Sequence, residues 1–462
     1  MSKYLAEQIS EVVVNTHFED LPQYAVDKAK MLTLDVLASM VGTRKVISSE
    51  IARDVAAELG GPEEASIVGY GKKVAAPNAA FANAIQCYGL DFVDDHNESN
   101  AHPSPVTYPV SFALAEQLKR SGKEFIEACV LGNEIVCRMG SAYLGDMYTQ
   151  GFHPTSTCGT MGGVVSAAKL MKLDEQKVSY AQGIAGSAVA GLMAWNTQGS
   201  FTKRYQAGRP SMDVIVAARM AEKGFNGPTD IFESQDGLLH AYSYQDRYDT
   251  NWITKDLGKE WIFATSSIKV YPCCRYSGGH LDACLEIVHK YHPDPAKIAK
   301  IHVRSSLQTM HLLAEPRKWH PENIVDLQFS MPYQAAVAFL NGKFTPDELN
   351  VEYIKNPLIQ KMITNTTVVC DDEFERRYPE HYSSAVTITM EDGTEYTAVV
   401  DDPKGDWRNP VTYEDVENKF RYLANTVYAD PERTEKIIAF VKDLEKQPDM
   451  SVLMELVNDE AK

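Results

Sequence analysis

Several features that commonly identify a chain are missing from this one. Among its 462 residues there are eight cysteines, at positions 87, 129, 137, 158, 273, 274, 284 and 370, and no two form a CxxC pair. That spacing indicates neither a zinc ribbon nor a disulfide framework. The adjacent Cys273 and Cys274 are expected as two reduced thiols rather than a strained vicinal disulfide. No apolar run approaches the roughly 18 residues that suggest a membrane span. The opening stretch MSKYLAEQISEVVVNTHFED is broken by Glu7, Glu11 and Glu19. It has neither the uncharged core of a signal peptide nor the Arg-rich character of a transit peptide, so a cytoplasmic location is expected. There are no repeats and no low-complexity linker. Positive charge is scarce: 45 Lys and Arg stand against 63 Asp and Glu, a net charge of −18. A polyanion of this kind repels nucleic-acid backbones and anionic membranes, which argues against both as partners. If the substrate is itself an anion, the site needs a local cluster of cations.

What the chain does have is helical patterning. With 44% hydrophobic residues it can bury one very large core or two ordinary ones. In LPQYAVDKAKMLTLDVLASMV, residues 21–41, Ala25, Ala29, Leu32 and Val36 share one stripe, and Gly42 stands where a helix-terminating glycine belongs. Further helices are expected over 78–90, 106–120, 123–143, 159–172, 176–194 and 210–223. Their many small residues allow helix axes to approach closely. Near Ile268 the pattern changes. Residues 267–272 read as a short strand, 298–305 alternate as a strand does, and 385–400 form two strands joined at Asp392-Gly393. Helices are expected between them at 280–291 and 332–341. After residue 403 the pattern is helical again, with Thr412 and Asp415 as an N-cap pair. The expected fold is mainly α: an all-helical domain from 1–266 and 404–462, with an α+β lid domain, 267–403, inserted before the C-terminal helices.

Chemistry-bearing residues concentrate in the stretch from Asp91 through Asp94, Asp95, His96 and His102 to Ser104. Pro103 disfavours helical backbone at His102, placing it just outside the next helix. The same grammar recurs at His153-Pro154-Thr155. Each imidazole is thus expected near a helix N-terminus, which attracts carboxylates. Carboxylates and imidazoles also suit a metal, although the spacing matches no helical metal signature. A third cluster, TKRYQAGR, supplies Lys203, Arg204 and Arg209; it reads either as a solvated loop or as a carboxylate clamp. A fourth, KVYPCCRYSGGH, brings Lys269, Tyr271 and His280 to the expected domain junction, where pockets form.

Six blocks, taken together, resemble the MmgE/PrpD family: LDFVDDH…HPS, GFHPTSTCG, TKRYQAGR, KVYPCC, FSMPYQAAVA and PKGDWRNPVTYEDVENKFRYLA. They stand in the family's order and span nearly the whole chain. The resemblance implies a helical domain with an α+β lid, an active site between them, and a homodimer. Family activities include 2-methylcitrate dehydratase, cis-aconitate decarboxylase and iminodisuccinate epimerase, none of which requires a metal or organic cofactor. By position, the family's catalytic residues fall on Asp91, His102, His153, Lys203 and Lys269. Asp95 stands where the family often has a pocket-lining hydroxyl residue. His96, Ser104, Arg204, Arg209, Tyr271 and His280 are further candidates for substrate binding. Two departures stand out. Related sequences commonly place a histidine at the position of Gly278, whereas this chain has His280. The methylcitrate dehydratase branch tends to read His-Pro-Ser-Asp, whereas this chain reads His-Pro-Ser-Pro.

The expected function is a cofactor-independent acid–base lyase acting on a small di- or tricarboxylate, by decarboxylation or dehydration. His102 would be the principal acid/base, oriented by Asp91, and His153 a second proton carrier or carboxylate ligand. Lys203 and Lys269 would hold carboxylates. The alternatives are an epimerase, a metal-dependent hydrolase and a non-catalytic carboxylate-binding protein.

Overall fold

Helices form where small and apolar residues recur on the turns of the chain. The computed structural model describes residues 3–458. Its helices α1 (Gln23–Gly42), α2 (Ala76–Cys87), α3 (Ser104–Gln117), α4 (Gly122–Ala142), α5 (Pro154–Leu170) and α6 (Thr202–Glu222) pack together, with α5 touching α3, α4 and α6. Every α5 side chain except Lys169 is buried, so the helix has no polar stripe to turn toward water. Small residues make this possible. A Cβ on Gly162 of α5 would lie 2.4 Å from the Gly132 carbonyl oxygen of α4, and one on Gly208 of α6 would lie 3.0 Å from the Phe81 carbonyl of α2. Backbones meet almost directly, at interior packing density.

The α+β region comprises α7 (Gly278–Tyr291), β1 (Ile298–Ser305), α8 (Met331–Asn341), β2 (Thr366–Cys370), β3 (Ser384–Met390) and β4 (Glu395–Val400). The strand order is β2-β1-β3-β4, with β1–β2 parallel and the other two pairings antiparallel. The β3–β4 turn carries Gly393 at φ +85°, a left-handed conformation that costs glycine little. α7 packs on β3, β4 and α8. The chain then returns as α9 (Tyr413–Asn425), opened by the Thr412–Asp415 capping box, and α9 packs along α1. The fold is mainly α with a smaller α+β region, as the patterning predicts.

Local boundaries differ in four places. α5 starts at Pro154 rather than near residue 159, so His153 is itself the N-cap. α6 starts at Thr202, and Pro210 lies inside it. The expected helix over 210–223 is thus the second half of a longer one, in which packing against α2 and α5 outweighs the N–H bond lost at Pro210. The helix expected over 176–194 ends at Gly186, and Gly191 at φ +140° interrupts any continuation. Residues 267–272 do not form a strand. Ser267 makes an isolated bridge with Asp95, the Ile268 N–H donates to Gly405, and Pro272 has no N–H to offer. Cys273 and Cys274 are buried free thiols. Among the described residues no helix is long and apolar enough to cross a membrane. Residues 1–2 and 459–462, the ends of the expected helical domain, lie outside the described residues.

Candidate active site

The polar loop between α2 and α3 begins with Asp91, whose backbone takes φ +52°, a left-handed conformation that aspartate tolerates. Its buried carboxylate is shared by two ammoniums: Lys203 Nζ lies 2.7 Å from Oδ2 and Lys269 Nζ 2.9 Å from Oδ1. Lys269 also donates to the carbonyls of Asp91 and Cys273, each at 3.0 Å. Lys203 projects from the first turn of α6 into an aromatic box, with Nζ 4.5 Å from the Tyr88 ring centre, 4.8 Å from Phe329 and 5.2 Å from Trp195. Burial alone would raise the Asp91 pKa, but Lys203, Lys269 and His102 overcome it and hold the carboxyl well below the usual range. Burial lowers the pKa of Lys203 against the pull of Asp91.

Two imidazoles flank the Tyr88 ring, His102 edge-on at 5.3 Å and His153 stacked at 6.2 Å. His102 Nδ1 lies 2.8 Å from the Asp94 carbonyl oxygen. A carbonyl only accepts, so Nδ1 carries the proton and Nε2 offers a lone pair, 4.0 Å from Asp91 Oδ1. His153 Nδ1 lies 2.7 Å from Gln206 Oε1, and its Nε2 faces the Tyr88 hydroxyl at 3.4 Å. Burial, then Lys269 and Lys203, hold the His102 pKa well below the ordinary histidine value. Burial and Lys203 push His153 down to about 3. In the resting site both rings are neutral at pH 7.

Asp95 completes the centre. Its Oδ1 lies 3.4 Å from His102 Nδ1 and its Oδ2 3.6 Å from Arg275 Nε, and burial raises its pKa to about 6. The structure therefore brings Asp91, Asp95, His102, His153, Lys203 and Lys269 together. It places the other candidates elsewhere. Ser104 begins α3 and donates to Asp94 Oδ2 at 2.8 Å. His96 accepts from the Ser99 N–H at 3.3 Å and faces Glu98 at 3.6 Å. Arg204 donates to Ser48 at 2.7 Å beneath Phe201, and Arg209 pairs with Asp213 at 2.8 Å on the surface. Tyr271 donates to Asp282 at 2.5 Å. His280 is buried in α7 beside Gln334 of α8, away from the cavity, because residue 280 falls on the helix face that packs within the α+β region. At Gly278 a Cβ would meet Pro403 Cβ at 2.9 Å, so this chain has no room there for a larger residue unless Pro403 moves.

Sequence reasoning missed five residues of the site. Arg275 lines the cavity and donates to Asp406 Oδ2 at 2.5 Å. Gln206 stands one turn after Lys203, on the same inward face of α6. Tyr88, Trp195 and Phe329 form the box; Tyr88 lies just before the polar stretch and Phe329 opens the block FSMPYQAAVA, whereas Trp195 lies in no flagged motif. The cations expected from the charge balance are present, but Lys203, Lys269 and Arg275 face Asp91, Asp95 and Asp406. Among the described residues there is no group of three or more His, Cys, Asp or Glu side chains placed to hold a metal.

The cavity between these residues measures about 30 Å³, room for one or two waters. Arg275, Tyr276 and Tyr382 close it on the α+β side, and the Tyr276 and Tyr378 hydroxyls both reach Asn100 Oδ1 at 3.2 Å. A small, buried, cation-lined space with two neutral imidazoles and a shared carboxylate is suited to moving a proton at carbon beside a bound carboxylate.

Comparison with known proteins gives the chain its family. The family model for the MmgE/PrpD N-terminal domain matches residues 7–251, and that for the C-terminal domain matches residues 271–445. A cis-aconitate decarboxylase-like protein, oryM, of Aspergillus oryzae is 28% identical, covering 96% of this chain and 94% of its own. A cis-aconitate decarboxylase of Aspergillus terreus is 27% identical over 98% and 96% of the two chains. A human cis-aconitate decarboxylase is 24% identical over 99% and 95%. The two domain matches take in most of the 462 residues, and the chain belongs to the MmgE/PrpD family.

Proposed function

We propose that this protein is a lyase that decarboxylates a small tricarboxylate of the cis-aconitate type, using its own side chains. The observation that carries this reading is the Asp91 carboxylate held between Lys203 and Lys269, with the free Nε2 of His102 4.0 Å away. The full-length similarity to proteins named cis-aconitate decarboxylase supports the same substrate class.

The chemistry follows from the charges. Substrate carboxylates settle against Lys203 and Arg275, and their negative charge raises the His102 pKa, so the ring gains a proton only when the site is filled. The bond from carbon to the departing carboxylate breaks, carbon dioxide leaves, and the electron pair spreads into the neighbouring carboxylate. The lysines stabilise that enolate-like charge. His102 Nε2–H then delivers its proton to carbon and the ring returns to its neutral form. His153 stays neutral throughout and accepts a hydrogen bond.

The test is proton NMR in heavy water with cis-aconitate, 2-methylcitrate and iminodisuccinate offered separately. Carbon dioxide release with one deuteron incorporated is the expected result. Loss of water from 2-methylcitrate would make the enzyme a dehydratase, and α-proton exchange without either loss would make it an epimerase. Binding without turnover of any of them would leave a non-catalytic protein.

A further inference from the structure

Helix α9 brings one ammonium beneath the site. The Lys419 side chain is only 9% exposed, and its Nζ meets three oxygens. These are Asp35 Oδ1 of α1 at 2.6 Å, the Phe92 carbonyl at 2.5 Å and the Lys269 carbonyl at 3.0 Å. It also lies 3.7 Å from the centre of the Phe92 ring. Phe92 directly follows Asp91, and Lys269 is Asp91's own partner. One cation therefore ties together the two backbone segments from which that buried ion pair projects. The segments are remote in sequence, and the second lies where the chain passes from the helical body into the α+β region, beside the return at Gly405.

We infer that Lys419 is a positioning residue: by holding the Phe92 and Lys269 carbonyls, it keeps the Asp91 carboxylate in register with Lys269 and Lys203. Lys419 touches no reacting atom; it acts through the backbone. The inference depends on the proposed decarboxylation only for its turnover readout.

A second cavity makes the idea open to a charge-specific test. It measures about 310 Å³ and is separate from the active-site cavity; Lys419, Lys269, Phe92, Lys404 and Val416 are among its walls. Truncating Lys419 to alanine removes a fragment equivalent to propylammonium, directly beside this space.

The variants are Lys419→Ala, Lys419→Met and Lys419→Arg, assayed with cis-aconitate. Lys419→Ala and Lys419→Met are expected to lose about 100-fold in kcat with little change in KM, as a displaced catalytic group would produce. Lys419→Arg, which keeps a donor for both carbonyls, is expected to stay within about 10-fold of the wild type. Propylammonium should restore Lys419→Ala at least 10-fold and saturably, whereas 1-propanol of the same size should not. Equal rescue by the alcohol would reduce Lys419 to packing, and wild-type kcat in Lys419→Met would remove it from the account. If Lys419→Ala fails to fold, the Met and Arg variants decide between these outcomes. Hydrogen exchange supplies a readout without turnover. Peptides containing Phe92 and Lys269 should exchange faster in the Ala and Met variants, and propylammonium should reverse this in the Ala variant. Unchanged exchange would overturn the inference even if another substrate proves correct, and a wild type inert toward cis-aconitate would overturn the functional reading alone.

Discussion

His153 Nδ1 lies 2.7 Å from Gln206 Oε1, and the amide nitrogen of Gln206 donates to the Leu192 carbonyl at 2.8 Å. That second bond fixes the amide's orientation, because a carbonyl cannot donate. Gln206 therefore sets the His153 tautomer and leaves Nε2 as an acceptor. Gln206→Leu is expected to fold and to lose about 10- to 100-fold in kcat, the usual scale for losing a group that orients an imidazole. Gln206→Glu would set a negative charge against Nδ1–H and raise the His153 pKa from its value of about 3. Nitrogen NMR of labelled histidine reads this directly. A His153 signal identical in wild type and Gln206→Glu would sink the assignment.

The shared carboxylate has a thermodynamic consequence. Asp91→Asn would leave Lys203 and Lys269 buried with one neutral partner in place of an anion. Breaking a buried ion pair from one side costs about 3–5 kcal/mol. Urea unfolding should show a loss of that order, with turnover reduced at least about 100-fold. Adding Lys203→Met to Asp91→Asn should recover part of the stability and none of the activity, because it removes one uncompensated cation without restoring the site. Full stability in the single variant would contradict the pairing.

The sequence discloses what depends on local spacing and conceals what depends on distant partners. The small-residue helices and the Asp392-Gly393 hairpin are legible because period and turn chemistry are local signals. His102 and His153 are legible for the same reason, since the proline after each fixes where a helix begins. Among Lys203, Arg204 and Arg209, only helical phase decides which cation turns inward, and Gly208 and Pro210 disguise that helix as a loop. Gly208 is there because α2 passes against it. Arg275 becomes meaningful only beside Asp406, 131 residues away. Residues 267–272 look like a strand because their pattern is extended, but the partners that would complete a ladder are absent from their flanks.

Asn100, Tyr276 and Tyr378 bear on how substrate enters. A cavity of about 30 Å³ does not admit a six-carbon tricarboxylate, so on the proposed function the α+β side is expected to swing away first. The two tyrosine hydroxyls, 2.8 Å from each other and each 3.2 Å from Asn100 Oδ1, form with it a hydrogen-bonded cluster that opposes that movement. Tyr378→Phe removes one of these bonds, worth about 0.5–1.5 kcal/mol net. The population open to substrate should rise about 2- to 10-fold, and the association rate of a tricarboxylate inhibitor should rise with it. Stopped-flow binding measures that rate. A rate equal to that of the wild type would mean that closure is controlled elsewhere.

Asp94 governs part of the pH dependence of stability. Burial raises its carboxyl to about 7, although Ser104 donates to both of its oxygens. The unfolded chain has the ordinary value of 3.8. Between these limits the folded protein holds a proton that the unfolded chain has lost. Stability from this group is therefore complete below about pH 4 and falls as pH rises toward 7. His153 contributes with the opposite sign, gaining stability from about pH 3 to 6.5, but it is common to wild type and variant and cancels in their difference. Asparagine can accept from the Ser104 N–H and donate to its hydroxyl, so Asp94→Asn preserves the contacts and removes the titration. Urea unfolding between pH 4.5 and 8 should show the variant gaining on the wild type as pH rises, by a few kcal/mol in order of magnitude, and levelling off above about pH 7. A difference that stays constant across that range would show that Asp94 keeps an ordinary acidity inside the fold.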